Sequence, residues 1–551
     1  MHRARASRPA RSLSVHLMPG LIAAGVCACI AGVALMALLL AGTQGTRQGS
    51  IGQAGADWAA LARIVRFTVI QAILSGLLAM GLAVGFGRAL ARRRFVGRRV
   101  VLALLPLPMI TPLIVGGLGI LSVYGQQGWL AGYLARALGE DVVFNIYGWP
   151  GILLAHGFFN TAFLTRLVVQ AYGAVRPQTW AIARQLGIEG WQRFYRIEWP
   201  LIRTAVFSGG LLVVGLCLTS FVLILMFGGG PGKTTLEVAI YQSLRIDFAP
   251  ARAGWLALLQ LALCAVFVVL FLGLGGAIQE DAGNTAAQPF GLADGGLLGD
   301  GVWLVLGGWF ALAPLLAVAL SAAAAPWAWM IADPIFYQAL LTSLAIGIAA
   351  GLCGLLIGGS LVWSACGDPR WGRFFDGVGT LWLVMPPLAL SAGLFLALRA
   401  VGISPIGGGP AWGVAAVIGV NGLMAVPFVI RILRPPAGRI AKRYTPLTLS
   451  VGLRGWRRLW RVEAPLLRRP AALALALGIV FSLGDLGVMT LFGSPRLQTL
   501  PLYLYQLMAG YRIDQAMAVA GFLLLLSLAV FAAVFALIAG RYPRDGGAGY
   551  G

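Results

Sequence analysis

The sequence has few charged residues. Asp, Glu, Lys and Arg make up 11% of its 551 residues, about half the share found in soluble globular domains. Hydrophobic residues make up 59%, and the mean hydropathy is +0.86. This composition excludes an ordinary soluble protein. It indicates a polytopic membrane protein that is embedded in a lipid bilayer.

Clusters of metal-binding and catalytic residues are also lacking. The three histidines are scattered, and the six cysteines show no CxxC spacing, so we expect neither a metal site nor a disulfide framework. A membrane enzyme would need converging carboxylates or an activated nucleophile. The 18 acidic residues are instead spread over the chain. We therefore predict a chain that is not an enzyme and has no catalytic residues.

The basic residues do not indicate a nucleic-acid partner. The net charge is +23, but the basic residues lie in short loops between apolar segments, where they orient a membrane protein. With the N-terminus placed inside, about 31 of the Lys and Arg residues fall on the cytoplasmic side, as the positive-inside rule requires. We expect both termini to be cytoplasmic.

One stretch resembles a nucleotide-binding loop but lacks a required glycine. The sequence "FGGGPGKTT", Phe227 to Thr235, ends like a phosphate-binding loop, which needs a first glycine five residues before the second. Phe227 occupies that position, and a long apolar stretch precedes it instead of a short strand. We expect a turn that leaves a membrane helix and no nucleotide or other cofactor bound by this chain.

Apolar stretches long enough to cross a bilayer of about 30 Å predict an all-α protein of about twelve transmembrane helices. They fall roughly at 17–41, 60–87, 100–123, 146–172, 204–227, 253–278, 301–324, 335–365, 377–398, 411–433, 470–492 and 516–540.

The chain repeats itself. "GIEGWQRFYRIEWPLIR" from Gly187 matches "GLRGWRRLWRVEAPLLR" from Gly452 at nine of seventeen positions, 265 residues apart. Each half holds six predicted helices, so the repeats are parallel, with an axis along the membrane normal. We predict a first half at 1–278, a polar cytoplasmic linker at 279–300 and a second half at 301–551.

Each half has a long basic, aromatic loop between its fourth and fifth helices, at 174–203 and 434–469; we name them the first and second coupling loops. Such a mixture suits an amphipathic helix on a surface, and one interpretation is an anchor to anionic lipid. Gly187 and Gly452 permit a sharp turn, and Pro200 and Pro465 follow thirteen residues later. A lipid anchor does not require this repeated pattern.

Both loops resemble the EAA loop of ABC importer permeases, the membrane subunits of bacterial ATP-driven importers. "AIARQLGIEGWQRFYRIEWP" from Ala181 and "LTLSVGLRGWRRLWRVEAP" from Leu447 keep the Gly and Pro spacing. The leading Glu-Ala-Ala is replaced in both copies. In this family the loop forms a short helix that docks into a groove of a separate ATPase subunit.

The resemblance implies the type I ABC importer permease fold, a bacterial inner-membrane location and two kinds of protein partner. These are a cytoplasmic ABC ATPase, in two copies, which uses the ATP, and a periplasmic substrate-binding protein. The residues expected to couple to the ATPase are Ala183, Gly187, Trp191, Glu198, Pro200, Ser450, Gly452, Trp456, Glu463 and Pro465. Glu198 and Glu463 either order the loop through salt bridges with Arg196 and Arg461 or contact the ATPase.

Two fused halves are typical of the ferric iron and thiamine branch of this family. "FSLGDLGVMTLFGSPRLQTLPLYLYQLMAGYR" from Phe481 is similar to the permeases for thiamine and thiamine pyrophosphate. The resemblance implies import of thiamine or its phosphate esters, with ferric iron as the alternative cargo. A twelve-helix secondary transporter is a further alternative, but such a protein has no reason to duplicate the coupling loop.

Four polar residues within predicted helices are candidates for lining a transport pathway. Asp485 is the only acidic residue of the eleventh helix, where a charge costs about 2.5 to 3.5 kcal/mol. Its counterpart in the first repeat is Ser220, and His156 aligns with Asn421. Asp485 would interact with a cationic cargo. Alternatively, these residues form hydrogen bonds between helices.

Overall fold

A computed structural model describes residues 10–47, 58–138, 145–175, 177–228, 230–273, 297–367, 369–382, 385–404 and 410–539. These residues form helices, short turns and a single isolated β-bridge between Ser494 and Leu497. The all-α fold class predicted from hydropathy is confirmed. Of the predicted 279–300 linker, 279–296 lie outside the described residues, and the last four residues already belong to a helix.

The helices, numbered in chain order, have the following bounds: α1 Ala10–Arg47, α2 Trp58–Arg92, α3 Arg98–Leu104, α4 Leu107–Ile110, α5 Leu113–Tyr124, α6 Trp129–Leu138, α7 Trp149–Gly173, α8 Pro177–Gln185, α9 Gly190–Leu218, α10 Val222–Phe227, α11 Leu236–Arg245, α12 Pro250–Gly273, α13 Leu297–Ala323, α14 Trp327–Ala332, α15 Pro334–Gly367, α16 Pro369–Leu381, α17 Pro387–Ala400, α18 Pro410–Ser450, α19 Gly455–Leu483, α20 Gly487–Phe492, α21 Leu500–Ala509 and α22 Ile513–Ala539.

Ten of the described helices are long and apolar enough to cross a membrane. The predicted span at 100–123 is instead a pair of segments, Arg98–Ile110 and Leu113–Ala137, bent by 116°. The predicted span at 377–398 consists of parts of α16 and α17, the latter only 14 residues long. Two further spans, at 204–227 and 470–492, are interrupted where α9 and α19 end. Hydropathy therefore located the apolar segments but not their breaks.

The described helices pack into two compact units, and each unit contains elements from both halves of the sequence. The amino-terminal unit comprises Leu38–Phe336 and Leu500–Leu524. The carboxy-terminal unit comprises Met1–Ala37, Tyr337–Thr499 and Leu525–Gly551. The predicted halves at 1–278 and 301–551 divide the chain in sequence order. In the structure, each half contributes helices to the unit that the other half mainly forms.

Helix α13 from the second half packs in the amino-terminal unit. Its Gly307 lies so close to Phe86 of α2 that an added Cβ would be 2.3 Å from the ring. At its first turn, Arg93 Nε donates to Asp300 Oδ2 at 2.6 Å. The core of this unit is built from small residues of α2, including Ala72, Ala79 and Ala83, against α7 and α9. Small residues permit the close helix contacts that membrane proteins rely on.

Helix α1 makes the reciprocal exchange in the carboxy-terminal unit. The Gly20 N–H donates to Ser364 Oγ of α15 at 2.9 Å. Ala23 and Ala24 pack with Phe375 and Val426 in one apolar cluster. The first predicted span is therefore a structural part of the unit built mainly from the second half.

Candidate functional site

Both coupling loops turn at glycines that adopt a left-handed backbone. Gly187 has φ = 64° and Gly452 has φ = 76°. Gly190 and Gly455, three residues later, have φ values of 56° and 54°. The space around Gly187 and Gly452 is open, so glycine is needed for its backbone conformation and not for close packing.

The hydrogen bonds at each turn form the same helix-ending motif. The Ile188 N–H donates to the Ala183 carbonyl at 3.0 Å, and the Leu453 N–H donates to the Thr448 carbonyl at 2.8 Å. This six-to-one bond defines a Schellman motif. Ala183 and Thr448 are buried, whereas the predicted coupling residue Ser450 is exposed and donates to a carbonyl three residues before it. Thr448, and not Ser450, is therefore the structural counterpart of Ala183.

Within each loop, a π-helical turn follows the first α-helical turn of the long helix, at Phe194–Glu198 in α9 and Leu459–Glu463 in α19. The Trp199 N–H, for example, donates to the carbonyl five residues before it. The predicted coupling residues Pro200 and Pro465 follow directly. Proline has no N–H to donate, so it suits a wider turn that leaves a carbonyl without its usual partner. The loop and the membrane helix are thereby one continuous helical element.

Fully buried Glu198 is the centre of a polar network. Its carboxylate accepts from Arg88 Nε at 2.5 Å, from Arg193 Nε at 3.0 Å and from Tyr172 Oη at 3.1 Å. Because Arg88 and Tyr172 belong to α2 and α7, the network ties the first coupling loop to two membrane helices. A rigid-body movement of this loop would therefore act on both.

Glu463 forms the equivalent network in the carboxy-terminal unit. Arg458 Nη2 lies 2.6 Å from Glu463 Oε1, and Trp363 Nε1 of α15 donates to Glu463 Oε2 at 2.8 Å. Trp363 also contacts Trp456, with ring centroids 5.0 Å apart. Of the two alternatives from the sequence, these contacts favour the ordering of the loop. The arginines that pair with the glutamates within the described loops are Arg193 and Arg458 instead of the expected Arg196 and Arg461, and Glu198 also pairs with Arg88 of α2.

The outer face of each loop exposes large hydrophobic side chains at equivalent positions. Four pairs, each separated by 265 residues, are all more than half exposed: Ile182 and Leu447, Leu186 and Val451, Trp191 and Trp456, and Tyr195 and Trp460. Exposed apolar clusters of this kind mark interaction sites. Trp191 and Trp456 were predicted from the sequence, and the structure adds the other three pairs.

Two of the predicted pathway residues contact each other in the amino-terminal unit. Buried His156 of α7 lies with Nε2 2.9 Å from Ser220 Oγ and with Nδ1 2.9 Å from Ser75 Oγ of α2. Ser220 sits at the break between α9 and α10. The imidazole of α7 therefore links α2 to the break between α9 and α10.

The other two predicted pathway residues lie at the corresponding break of the carboxy-terminal unit. Asn421 Nδ2 donates to Ser482 Oγ at 3.0 Å, near the end of α19. Asp485 follows that end; its Oδ1 accepts from the Val488 N–H at 3.5 Å, and the carboxylate also interacts with the Asn421 side chain and the backbone N–H groups of Gly487 and Met489. Its Oδ2 is buried and has no hydrogen-bond partner in the part of the chain that the structure describes. A carboxylate oxygen at a helix break is thus available to a further donor or cation.

Several residues of these networks could not be found from the loop motif. Arg88, Tyr172 and Trp363 lie on other helices, far from the glutamates in sequence. No spacing rule links them to the loops. Thr448 could have been found, since it is the exact partner of Ala183 at the repeat offset.

The family assignment follows from comparison with known proteins. Residues 79–280 match the family model described as "binding-protein-dependent transport system inner membrane component". This region contains the whole first coupling loop. The chain is also 39% identical over 537 residues to the thiamine transport system permease protein ThiP of Salmonella typhimurium, covering 96% of this chain and 97% of that protein.

The chain is a binding-protein-dependent transport permease. Two further members of this family are the ThiP proteins of Escherichia coli and Haemophilus influenzae. They are 40% and 33% identical to this permease over 87% and 86% of its length, and it covers 90% and 88% of theirs. The similarity thus spans both coupling loops and both helix breaks, and the permease is a multi-pass inner-membrane transport component.

Proposed function

We propose that this permease is the membrane subunit of an ATP-driven importer that carries thiamine or its phosphate esters from a periplasmic binding protein into the cytoplasm. ATP is hydrolysed on a separate ABC ATPase, and this chain binds no nucleotide. In support, "FGGGPGKTT" begins at the last residue of the helix Val222–Phe227 and is not preceded by a strand, and Pro231–Lys233 within it form a 3₁₀ turn.

The observation that carries the proposal is the duplicated, exposed hydrophobic face of the coupling loops. Each loop presents four large apolar side chains and is held from within by a buried glutamate network. Such a face fits the groove of a partner protein, and two copies fit two ATPase subunits. The π-helical turns make each loop continuous with a membrane helix, so movement of an ATPase would be transmitted directly.

The basic residues support an orientation with both loops and both termini in the cytoplasm. The helix breaks after α9 and α19 then lie nearer the opposite face. In this orientation Phe227 to Thr235 is on the periplasmic side, away from ATP.

The cargo assignment rests on the named relatives. Three permeases from different bacteria, each similar over most of this chain, bear the name thiamine transport system permease. This favours thiamine over ferric iron. Asp485 suits a cationic cargo such as thiamine, because its Oδ2 is buried without a partner among the described residues.

The experiment that tests the proposal is uptake of radiolabelled thiamine in a bacterial strain that lacks its own thiamine permease. The strain would express this chain together with its ATPase and binding protein. We expect uptake that unlabelled thiamine abolishes and ferric iron does not affect. Competition by thiamine phosphate and pyrophosphate would identify which esters are carried. Absence of thiamine uptake with a correctly inserted and assembled complex would contradict the proposal.

A further inference from the structure

A buried polar cluster in the amino-terminal unit takes no part in the coupling networks. Its central residue is Glu237, in the first turn of α11, whose side chain is completely buried. Neither oxygen of its carboxylate has a hydrogen-bond partner among the described residues. A carboxylate buried without compensation is strongly unfavourable, so this site requires a positively charged occupant or a proton.

Two fully buried glutamines of the same unit, Gln71 and Gln260, also have side-chain oxygens without a partner among the described residues. Gln71 Nε2 of α2 donates to the Cys217 carbonyl at 2.8 Å, and Gln260 Nε2 of α12 donates to the Leu218 carbonyl at 3.0 Å. These bonds satisfy the last carbonyls of α9 and fix which end of each amide is the nitrogen. Both Oε1 atoms remain buried and unpartnered in the described structure.

Contacts link the glutamines to Glu237. Thr68 accepts from Gln71 Nε2 through its carbonyl, at 3.2 Å, and from the Leu236 N–H through its hydroxyl, at 3.1 Å. On the other side, Cys264 Sγ lies 3.7 Å from Gln260 Nε2 and close enough to Glu237 for electrostatic interaction. The adjacent Thr235 Oγ1 is also buried without a partner among the described residues.

The unpartnered atoms of this cluster are all oxygens, and they carry a single negative charge. They are the two oxygens of Glu237, the two amide oxygens and the Thr235 hydroxyl. No described Lys, Arg or His forms an ion pair with Glu237 at the distances that define the other pairs. Oxygen ligands suit hard cations, and the single carboxylate balances the charge of a monovalent ion.

We propose that Glu237, Gln71, Gln260 and Thr235 bind one small monovalent cation of the Na⁺ class. The ion neutralises Glu237 and holds the start of α11 against the end of α9. After a deletion of one residue in the second repeat, "TLEVAIYQ" from Thr235 aligns with "TLPLYLYQ" from Thr499, and Glu237 then corresponds to Pro501. The second repeat therefore lacks the carboxylate on which this site depends.

The proposal is independent of the cargo and of ATP, and binding is measured without transport. The purified full-length chain in nanodiscs would be titrated with ²²Na⁺ in choline chloride and its thermal unfolding followed in parallel. We expect saturable binding of about one Na⁺ per chain and a Tm that rises with Na⁺. Glu237→Gln should abolish both effects. Asp247→Asn, which alters a half-exposed carboxylate just after α11, should change neither.

Three results would overturn the proposal. The first is absence of saturable Na⁺ binding to the wild-type chain. The second is equal binding by Glu237→Gln. The third is stabilisation by acid or by K⁺ with no effect of Na⁺, which would indicate a protonated carboxyl group or a larger ion. If Glu237→Gln cannot be purified, Gln260→Met provides the second variant. It removes one oxygen ligand and should weaken Na⁺ binding at least tenfold. An unchanged Na⁺ affinity of this variant would also contradict the proposed site.

Discussion

Arg193 and Glu198 form a buried ion pair across one π-helical turn, with Arg193 Nε 3.0 Å from Glu198 Oε1. Because a π-helix pairs residues five apart, this turn places the two side chains on the same face. Arg458 and Glu463 repeat the arrangement in the other half at 2.6 Å. The same local geometry thus orders both coupling loops from within.

Removing the charge of Glu198 should destabilise the permease more than removing the charge of Glu463. Glu198→Gln leaves buried Arg193 without its counter-charge and also loses the bond from Arg88, and breaking such a buried pair costs about 3–5 kcal/mol. Glu463 is bound by one arginine and by Trp363. Thermal unfolding of the purified variants measures the difference. Equal losses, or a larger loss for Glu463→Gln, would contradict the assigned networks.

The two turn glycines should tolerate asparagine but not valine. A left-handed backbone costs about 1–2 kcal/mol for residues with a Cβ, and asparagine adopts it most readily. Since the space around Gly187 and Gly452 is open, size alone is no obstacle. We expect the double change to Val to reduce co-purification with the ATPase or to uncouple ATP hydrolysis from uptake. The double change to Asn should retain both, and normal coupling in the valine variant would refute the role of the turn.

Trp191→Ala combined with Trp456→Ala should weaken ATPase binding strongly and lower the stability of the permease only slightly, through the lost contact of Trp456 with Trp363. Both side chains are more than half exposed in the isolated chain, so truncation creates no cavity, whereas buried tryptophans are frequent hot spots of interfaces. A suitable control is Trp58→Ala, which removes another exposed tryptophan at the start of α2. Pull-down with the ATPase tests the prediction. Unchanged ATPase binding by the double variant, or equal loss in the control, would contradict it.

Asp485→Asn should lower thiamine uptake by about tenfold, equivalent to the loss of about 1.4 kcal/mol. The substitution keeps the shape of the side chain but removes the charge that would attract a cationic cargo. Asp514→Asn, at an exposed position in the first turn of α22, serves as the matched control. If Asp485→Asn leaves both uptake rate and cargo preference unchanged, Asp485 has only a structural role.

The sequence predicted the helical class, the repeat and the turn glycines because each depends on local properties. Hydropathy indicates which segments lie in lipid, and glycine at positions 187 and 452 indicates a left-handed backbone. The break after α9 could not be predicted in this way. At this break, Gln71 and Gln260 of other helices donate hydrogen bonds to the carbonyls of Cys217 and Leu218. Such contacts between distant residues do not change the hydropathy pattern of the helix that ends there.

The sequence also could not predict that α1 and α13 each pack in the unit formed mainly by the other half. The apolar α1 and α13 have no pattern that specifies which partner they pack against. Their placement depends on close contacts, such as the Gly20 N–H with Ser364 and Gly307 with Phe86, that appear only in three dimensions. The same is true of the glutamate networks, whose partners Arg88 and Trp363 lie outside the loops.

The most direct test of the central claim, that ATP drives this permease through its coupling loops, is thiamine uptake into proteoliposomes that contain the permease and its ATPase. The binding protein is added outside, and ATP is enclosed and regenerated while an ionophore collapses the proton gradient. We predict that wild-type uptake continues under these conditions and that the Gly187→Val and Gly452→Val double variant does not accumulate thiamine. Loss of wild-type uptake on collapse of the proton gradient, with ATP maintained, would contradict the account.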